Sequence, residues 1–235
     1  KWTGDEASHE IHFIPQTGST VTIAKDLTVH EGYCRPYSFS LANWIVTEDV
    51  LIESGGILGN PSHTGDYSFG SLTIASGGIY QATQGTTTIT GKTSGLALDN
   101  AGTFTHNNGT MKFTDNDYVT VKNNIFYNVI LNTTGGTYAV LFQDTSGDNV
   151  TILNNLEIIR GDFELSTAGD TLDIYGKTIL NSGTGNTGAR FNNDKDQTGT
   201  ITHHGLVEII SGTYHVEDGG TVNMAGIRNV GGLVD

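Results

Sequence analysis

Cysteine occurs once in these 235 residues, at Cys34. No disulfide can close within the chain, and a multi-cysteine zinc site is excluded. Cys34 sits in the aromatic stretch Gly32-Tyr33-Cys34-Arg35-Pro36-Tyr37 and is read as a buried small apolar residue, not a nucleophile. Charge is scarce as well: 15% of residues are charged, against roughly 25% in an average soluble domain. Basic residues number 11 against 25 acidic ones, a formal net charge of −14. That balance excludes the basic stripe of a nucleic-acid groove and electrostatic docking on an anionic membrane. The acidity is diffuse and reads as a solubility device. No apolar run is long enough for a helical membrane span, and no signal peptide is recognisable. Proline occurs only three times. No pattern of period 3.6 persists for more than about two turns, so helix content is expected to be close to nil.

What fills the chain is glycine (32), threonine (34) and asparagine (19). These residues suit turns and pleated surfaces and suit helices badly. A short phrase recurs: apolar residues, a small or polar residue, glycine, then a β-branched or aromatic residue. It reads Leu51-Ile52-Glu53-Ser54-Gly55-Gly56-Ile57 and again Leu72-Thr73-Ile74-Ala75-Ser76-Gly77-Gly78-Ile79-Tyr80. Looser copies stand at Asn100-Ala101-Gly102-Thr103-Phe104, Ile158-Ile159-Arg160-Gly161-Asp162-Phe163 and Ile209-Ile210-Ser211-Gly212-Thr213-Tyr214. An irregular period in the twenties marks stacked β coils rather than a sandwich.

Strands are expected at 11–14, 20–23, 27–29 and 41–46. A steadier series follows at 50–53, 71–75, 86–90, 95–98, 102–105, 109–114, 118–122, 125–131, 137–142, 149–153, 155–159, 162–166, 170–175, 177–180, 200–203, 205–210, 212–217 and 220–224. The fold class is all-β, a parallel β-solenoid whose strands pair across roughly 18–30 positions. Val121, Leu131, Leu141, Ile152, Leu165, Ile174 and Ile209 are expected in the core. The pairs Asn107-Asn108, Asn123-Asn124, Asn154-Asn155 and Asn192-Asn193 are expected at corners. The glycine-rich run 183–188 reads as an exposed loop. Residues 1–49 divide off as two strands plus an aromatic capping or inserted segment, 31–49, in which Tyr33, Tyr37, Phe39 and Trp44 would cover one end. Residues 50–235 form the solenoid, read as part of a longer chain or assembly. Its last apolar stretch, 227–234, is expected to dock against another subunit or a further domain.

The stretch Gly102-Thr103-Phe104-Thr105-His106-Asn107-Asn108-Gly109-Thr110-Met111-Lys112-Phe113, followed by Ile125-Phe126-Tyr127-Asn128-Val129-Ile130-Leu131-Asn132, resembles a repeat of large microbial surface proteins and phage structural proteins. A third element of that repeat appears at Leu156-Glu157-Ile158-Ile159-Arg160-Gly161-Asp162-Phe163-Glu164-Leu165. The resemblance covers roughly residues 70–225. It implies a parallel β-helix, display outside the cell or on a virion, and often a trimer. It carries no catalytic motif.

Polysaccharide-cleaving β-helices need paired carboxylates about 5–10 Å apart or an acid-bound cation. The candidate acids are Asp144, Asp148, Asp162, Glu164, Asp170 and Asp173. The bases that would grip a substrate beside them are few: Arg160, Lys177 and Arg190. The run 192–199 begins like a calcium loop but lacks the closing bidentate Glu, and reads as an acidic turn. His9 with His12, and His203 with His204, point to opposite faces of a strand and make poor metal pairs. The glycosylation-type triplets at Asn108, Asn132 and Asn149 follow from an Asn- and Thr-rich composition.

No catalytic, cofactor-binding or metal-binding residue is therefore assigned. The expected protein is non-enzymatic and structural, displayed on a phage virion exterior (fibre, spike or decoration) or a microbial cell surface, acting in assembly or attachment. Its expected partners are further copies of itself, with a trimer suspected, or neighbouring virion or surface subunits, or glycans. Nucleic acid and membrane insertion are not expected. The competing reading is a carbohydrate-binding or polysaccharide-cleaving β-helix.

Overall fold

The computed structural model describes residues 10–13, 18–36, 42–91, 96–114, 119–121, 124–133, 140–142, 149–165, 169–183, 189–193, 199–216 and 220–234. Among these residues every element is a strand and every strand pairing is parallel. Partners lie from 18 positions apart (Thr110 opposite Asn128) to 30 (Asn181 opposite Ser211). A sandwich built from hairpins would show antiparallel neighbours. The chain is a parallel β-solenoid.

Three faces wrap the core. The third shows the coiling most simply: ten strands stack in one ladder. They are Leu27–Val29, Val50–Ile52, Leu72–Ile74, Leu96–Asn100, Val119–Val121, Val140–Phe142, the second half of Leu156–Leu165, Ala189–Asn193, Thr213–Val216 and Leu233–Val234. The second face runs from Thr20–Ile23 to the second half of Thr221–Asn229. The first face is interrupted. Glu10–Phe13, Gly32–Pro36, Gly56–Gly59, Ile79–Gln81 and Thr103–Thr105 form one ladder, and Asn124–Phe126 opens another. Across the gap Phe104 meets Phe126 edge-on at 5.5 Å, and His106 stacks on Tyr127 at 5.8 Å.

Each inward-pointing position continues as a column through the coils. One column on the second face runs Val21, Trp44, Tyr67, Thr87, Met111, Val129, Leu156, Thr178, Val207, Ile227. All of it is buried except the first and last members. The two threonines in it are satisfied internally: Thr87 Oγ1 lies 2.8 Å from Tyr80 Oη, and Thr178 Oγ1 lies 2.8 Å from His203 Nδ1. On the third face Phe163, Phe191 and Tyr214 stack nearly parallel, with ring centroids 5.2 and 4.9 Å apart. Identical strand spacing from coil to coil makes such stacking automatic once aromatics occupy matching positions. Val121, Leu131, Ile152, Ile174 and Ile209 are all fully buried, as expected. The side chains of Leu141 and Leu165 lie outside the described residues.

The glycine phrase has a local cause. Gly55 and Gly77 adopt φ of +84° and +82°, which only glycine tolerates without strain. They are linked along the axis, Gly55 N–H donating to Gly77 O at 3.0 Å. The second glycine is needed for space: a Cβ on Gly56 would stand 2.4 Å from Val29 O. The looser copies at Gly161 and Gly212 also have positive φ, +109° and +111°, but occupy a different corner, between the second and third faces. The phrase thus reports a turn chemistry shared by two corners rather than one position in the coil.

The described strands of the segment 31–49 are not set apart in the ladders. Gly32–Pro36 pairs on both sides, and so does Asn43–Val46. Trp44 is an ordinary member of an inner column and does not cover an end. Tyr33 faces outward at 41% exposure, with the Arg35 guanidinium 5.3 Å from its ring centroid. Tyr37 and Phe39 lie outside the described residues.

The asparagine corners divide. Asn107 and Asn108 take left-handed backbone, φ +47° and +62°. Asn154 and Asn155 bond along a corner ladder instead: Asn154 Nδ2 donates to Asn128 Oδ1 at 2.9 Å, and Lys177 N–H donates to Asn155 Oδ1 at 2.9 Å. Asn124 and the Asn192-Asn193 pair belong to strands, because the alternation of neighbouring apolar residues governs them more strongly than their own turn preference. Asn123 lies outside the described residues, as does most of the loop expected at 183–188.

Candidate functional site

The second run of the first face carries three outward columns side by side. Its strands are Asn124–Phe126, Asn149–Ile152, Thr171–Ile174 and the leading parts of Thr200–Ser211 and Thr221–Asn229. Inward residues such as Val150, Leu172 and Ile201 anchor them to the core. The first outward column is Asn149, Thr171, Thr200, Thr221. The second is Ile125, Thr151, Asp173, Thr202, Asn223. The third follows the same registers at the corner: Tyr127, Leu153, Tyr175, His204, Ala225. Successive coils stand about 4.8 Å apart and alternate residues about 6.7 Å apart, so the face is a regular lattice of small polar groups bordered by an apolar and aromatic edge.

Contacts within the face run along the axis. The Thr171 hydroxyl donates to Asn149 Oδ1. His204 Nε2 lies 3.0 Å from Asp173 Oδ1, and the His204 ring lies 4.3 Å from the Tyr175 ring at 9°. Ile125 is 55% exposed, Tyr175 52% and Leu153 41%. No lysine or arginine occurs in these columns, whereas the neighbouring second face carries Glu208 between Arg228 (3.0 Å) and Lys177 (3.9 Å).

Behind this face lies His203, which is 1% exposed. Its Nδ1 meets Thr178 Oγ1 at 2.8 Å and its Nε2 meets Tyr214 Oη at 2.9 Å. Burial, assisted by His204, lowers its pKa to about 4, so it is a neutral member of the core. The expectation that His203 and His204 point apart holds. His9 and the His12 side chain lie outside the described residues.

The candidate acids do not meet at one place among the described residues. Asp170 is buried at a corner and its carbonyl accepts from Thr200 N–H at 2.8 Å, while Asp173 faces outward against His204. The backbone of Asp162 stands opposite Arg190 and that of Glu164 opposite Asn192, their side chains being outside the described residues. Asp144, Asp148 and most of the run 192–199 are also outside them. Among the described residues no group of three His, Cys, Asp or Glu is placed to hold a metal ion. Cys34 is buried, and desolvation raises its thiol to about 11, so it is a poor nucleophile.

Sequence reasoning passed over the three-column face, although a signal exists. The pentapeptides Asn149-Val150-Thr151-Ile152-Leu153, Thr171-Leu172-Asp173-Ile174-Tyr175, Thr200-Ile201-Thr202-His203-His204 and Thr221-Val222-Asn223-Met224-Ala225 share one alternation. Their unequal spacing hides them from a search at fixed period.

No protein-family model, curated protein or solved structure matches the chain. The fold alone defines its class, an all-β parallel solenoid.

Proposed function

We propose that the chain is a non-enzymatic structural solenoid displayed on the exterior of a phage virion or a microbial cell, where it serves assembly or attachment. The observation that carries this reading is the unbroken ten-strand parallel ladder wrapped around continuous core columns, a rod that spaces and presents its side faces. Its scarcity of charge and abundance of Thr and Asn support exposure outside the cell. A trimer is the arrangement that the sequence resemblance favours.

Antibodies against the purified chain test display. Labelling of intact virions or unpermeabilised cells is expected, and labelling that appears only after lysis would overturn the reading. Incubation with acidic and neutral polysaccharides tests the absence of catalysis. No reducing ends or unsaturated sugars should appear. Cleavage that disappears on Asp162→Ala or Asp173→Ala would make the chain an enzyme.

A further inference from the structure

We propose that the three-column face binds an extended, neutral polysaccharide laid along the solenoid axis. This rests on the reading of the chain as a surface-displayed attachment rod, and it names the partner and the surface.

Composition comes first. Two adjacent columns offer hydroxyl and amide groups at Thr151, Thr200, Thr202, Thr221 and Asn223, and the third offers Leu153 and Tyr175. A pyranose has the same division, with hydroxyls at its rim and C–H surface on its faces. An apolar column one side chain wide is too narrow for the dry centre of a stable protein interface. A polyhydroxylated chain satisfies both columns along its length.

Charge narrows the choice. Asp173 is the single carboxylate among the described residues of the three columns and is bonded to His204. No cation in the columns awaits a polyanion, and the net charge of −14 repels one. The face therefore complements an uncharged glycan.

Repeat length sets the direction. The coil spacing of about 4.8 Å is close to the length of one sugar residue in an extended chain. A glycan parallel to the axis meets a pair of polar groups on each of the four coils from Asn149 and Thr151 to Thr221 and Asn223. Because His204 and Tyr175 stack along that axis, their rings stand edge-on to such a ligand. They grip it through ring nitrogen and phenol oxygen, while Leu153 and Ile125 supply apolar contact. Each residue contributes weakly, so affinity grows with glycan length.

Affinity electrophoresis against a soluble linear β-glucan, a xylan and a mannan tests this, with polygalacturonate and hyaluronate as acidic counterparts. At least one neutral chain should retard the protein, and neither acid should. Tyr175→Ala combined with Leu153→Ser should weaken retardation at least tenfold, and Thr200→Val with Thr202→Val several-fold. Thr88→Val, on the second face, should change nothing. Unchanged melting transitions establish that the variants fold. Four results would each overturn the proposal: no retardation by any neutral chain, retardation indifferent to the variants, equal retardation by the acids, or light scattering showing that Tyr175 and Leu153 instead join two copies of the chain. Antibody labelling of intact particles is unaffected by any of these, so failure here is distinguishable from failure of surface display.

Discussion

His203 Nε2 lies 2.9 Å from Tyr214 Oη, inside the core and between two coils. The second ring nitrogen is held by Thr178, and the ring lies 5.2 Å from that of Phe191. An imidazole in this position accepts one hydrogen bond and donates the other while neutral. A proton would turn both nitrogens into donors and place a charge on a ring that burial shields from bulk solvent.

Stability should therefore depend on pH in a defined window. The folded pKa of His203 is about 4, below the unfolded value of 6.5. Between these values the unfolded chain holds more protons at this group than the folded one, so the His203 contribution to stability rises with pH from about 4 to 6.5 and is level above it, and His63 and His106, both lowered mainly by burial, add to the slope in the same sense. The whole His203 effect is about 3 kcal/mol. Denaturant melts at pH 4, 5, 6 and 7 measure it. Replacing His203 with Gln should flatten the slope relative to the parent chain. An identical slope in both would show that His203 is not the group responsible.

The Phe163–Phe191–Tyr214 stack should be costly to interrupt. Phe191 is fully buried between two near-parallel rings. Phe191→Ala should lower unfolding free energy by about 3–5 kcal/mol, through lost transfer energy and a cavity that flanking coils cannot close. Phe191→Leu should cost less. A loss under about 1 kcal/mol for the alanine variant would mean that the coils collapse freely.

The coil was legible from residues whose chemistry is local. The glycine pairs at 55–56 and 77–78 fixed a corner and an offset, and alternation located most strands, such as Thr171–Ile174 and Thr178–Asn181. The phrase implies that another strand begins after each glycine turn, as Gly56–Gly59 and Ile79–Gln81 do, but three or four residues give too little alternation to place those strands in the expected series. Trp44 read as part of a cap because its neighbours are aromatic, whereas its place is set by pairing with Val21 and Tyr67 in other coils. The outer face went unread for the same reason, its repeated pentapeptides being unequally spaced. Leu153, Tyr175 and His204 become neighbours only after the intervening chain has wrapped once.

The two glycines of the phrase should respond differently to a methyl group. At Gly55 the obstacle is backbone conformation, since the nearest atom to a new Cβ is a side-chain carbon at 3.5 Å. Gly55→Ala should cost about 1–2 kcal/mol. At Gly56 the obstacle is the Val29 carbonyl oxygen at 2.4 Å, which belongs to a neighbouring strand and cannot move alone. Gly56→Ala should therefore cost more and disturb the Val29 coil. Denaturation midpoints of the two variants decide the order, and a Gly55 variant the less stable of the pair would reverse the assignment.

Cys34 gives a direct report on whether the early coils hold shut. It is buried on the first face, opposite Leu58 in register, and its thiol is raised to about 11 by desolvation. At pH 8 very little thiolate forms, and a reagent has no path to it while the ladder is closed. Labelling with an uncharged maleimide in native buffer should be slower by orders of magnitude than in denaturant. If the ladder opens locally, its rate should rise at denaturant concentrations below the global midpoint. The test separates two pictures of the segment 31–49. A coil paired on both sides protects Cys34 nearly as well as the middle of the solenoid protects its core. A loosely attached cap would let it react at once, and labelling in native buffer within the dead time of mixing would require the pairing of Gly32–Pro36 to be abandoned.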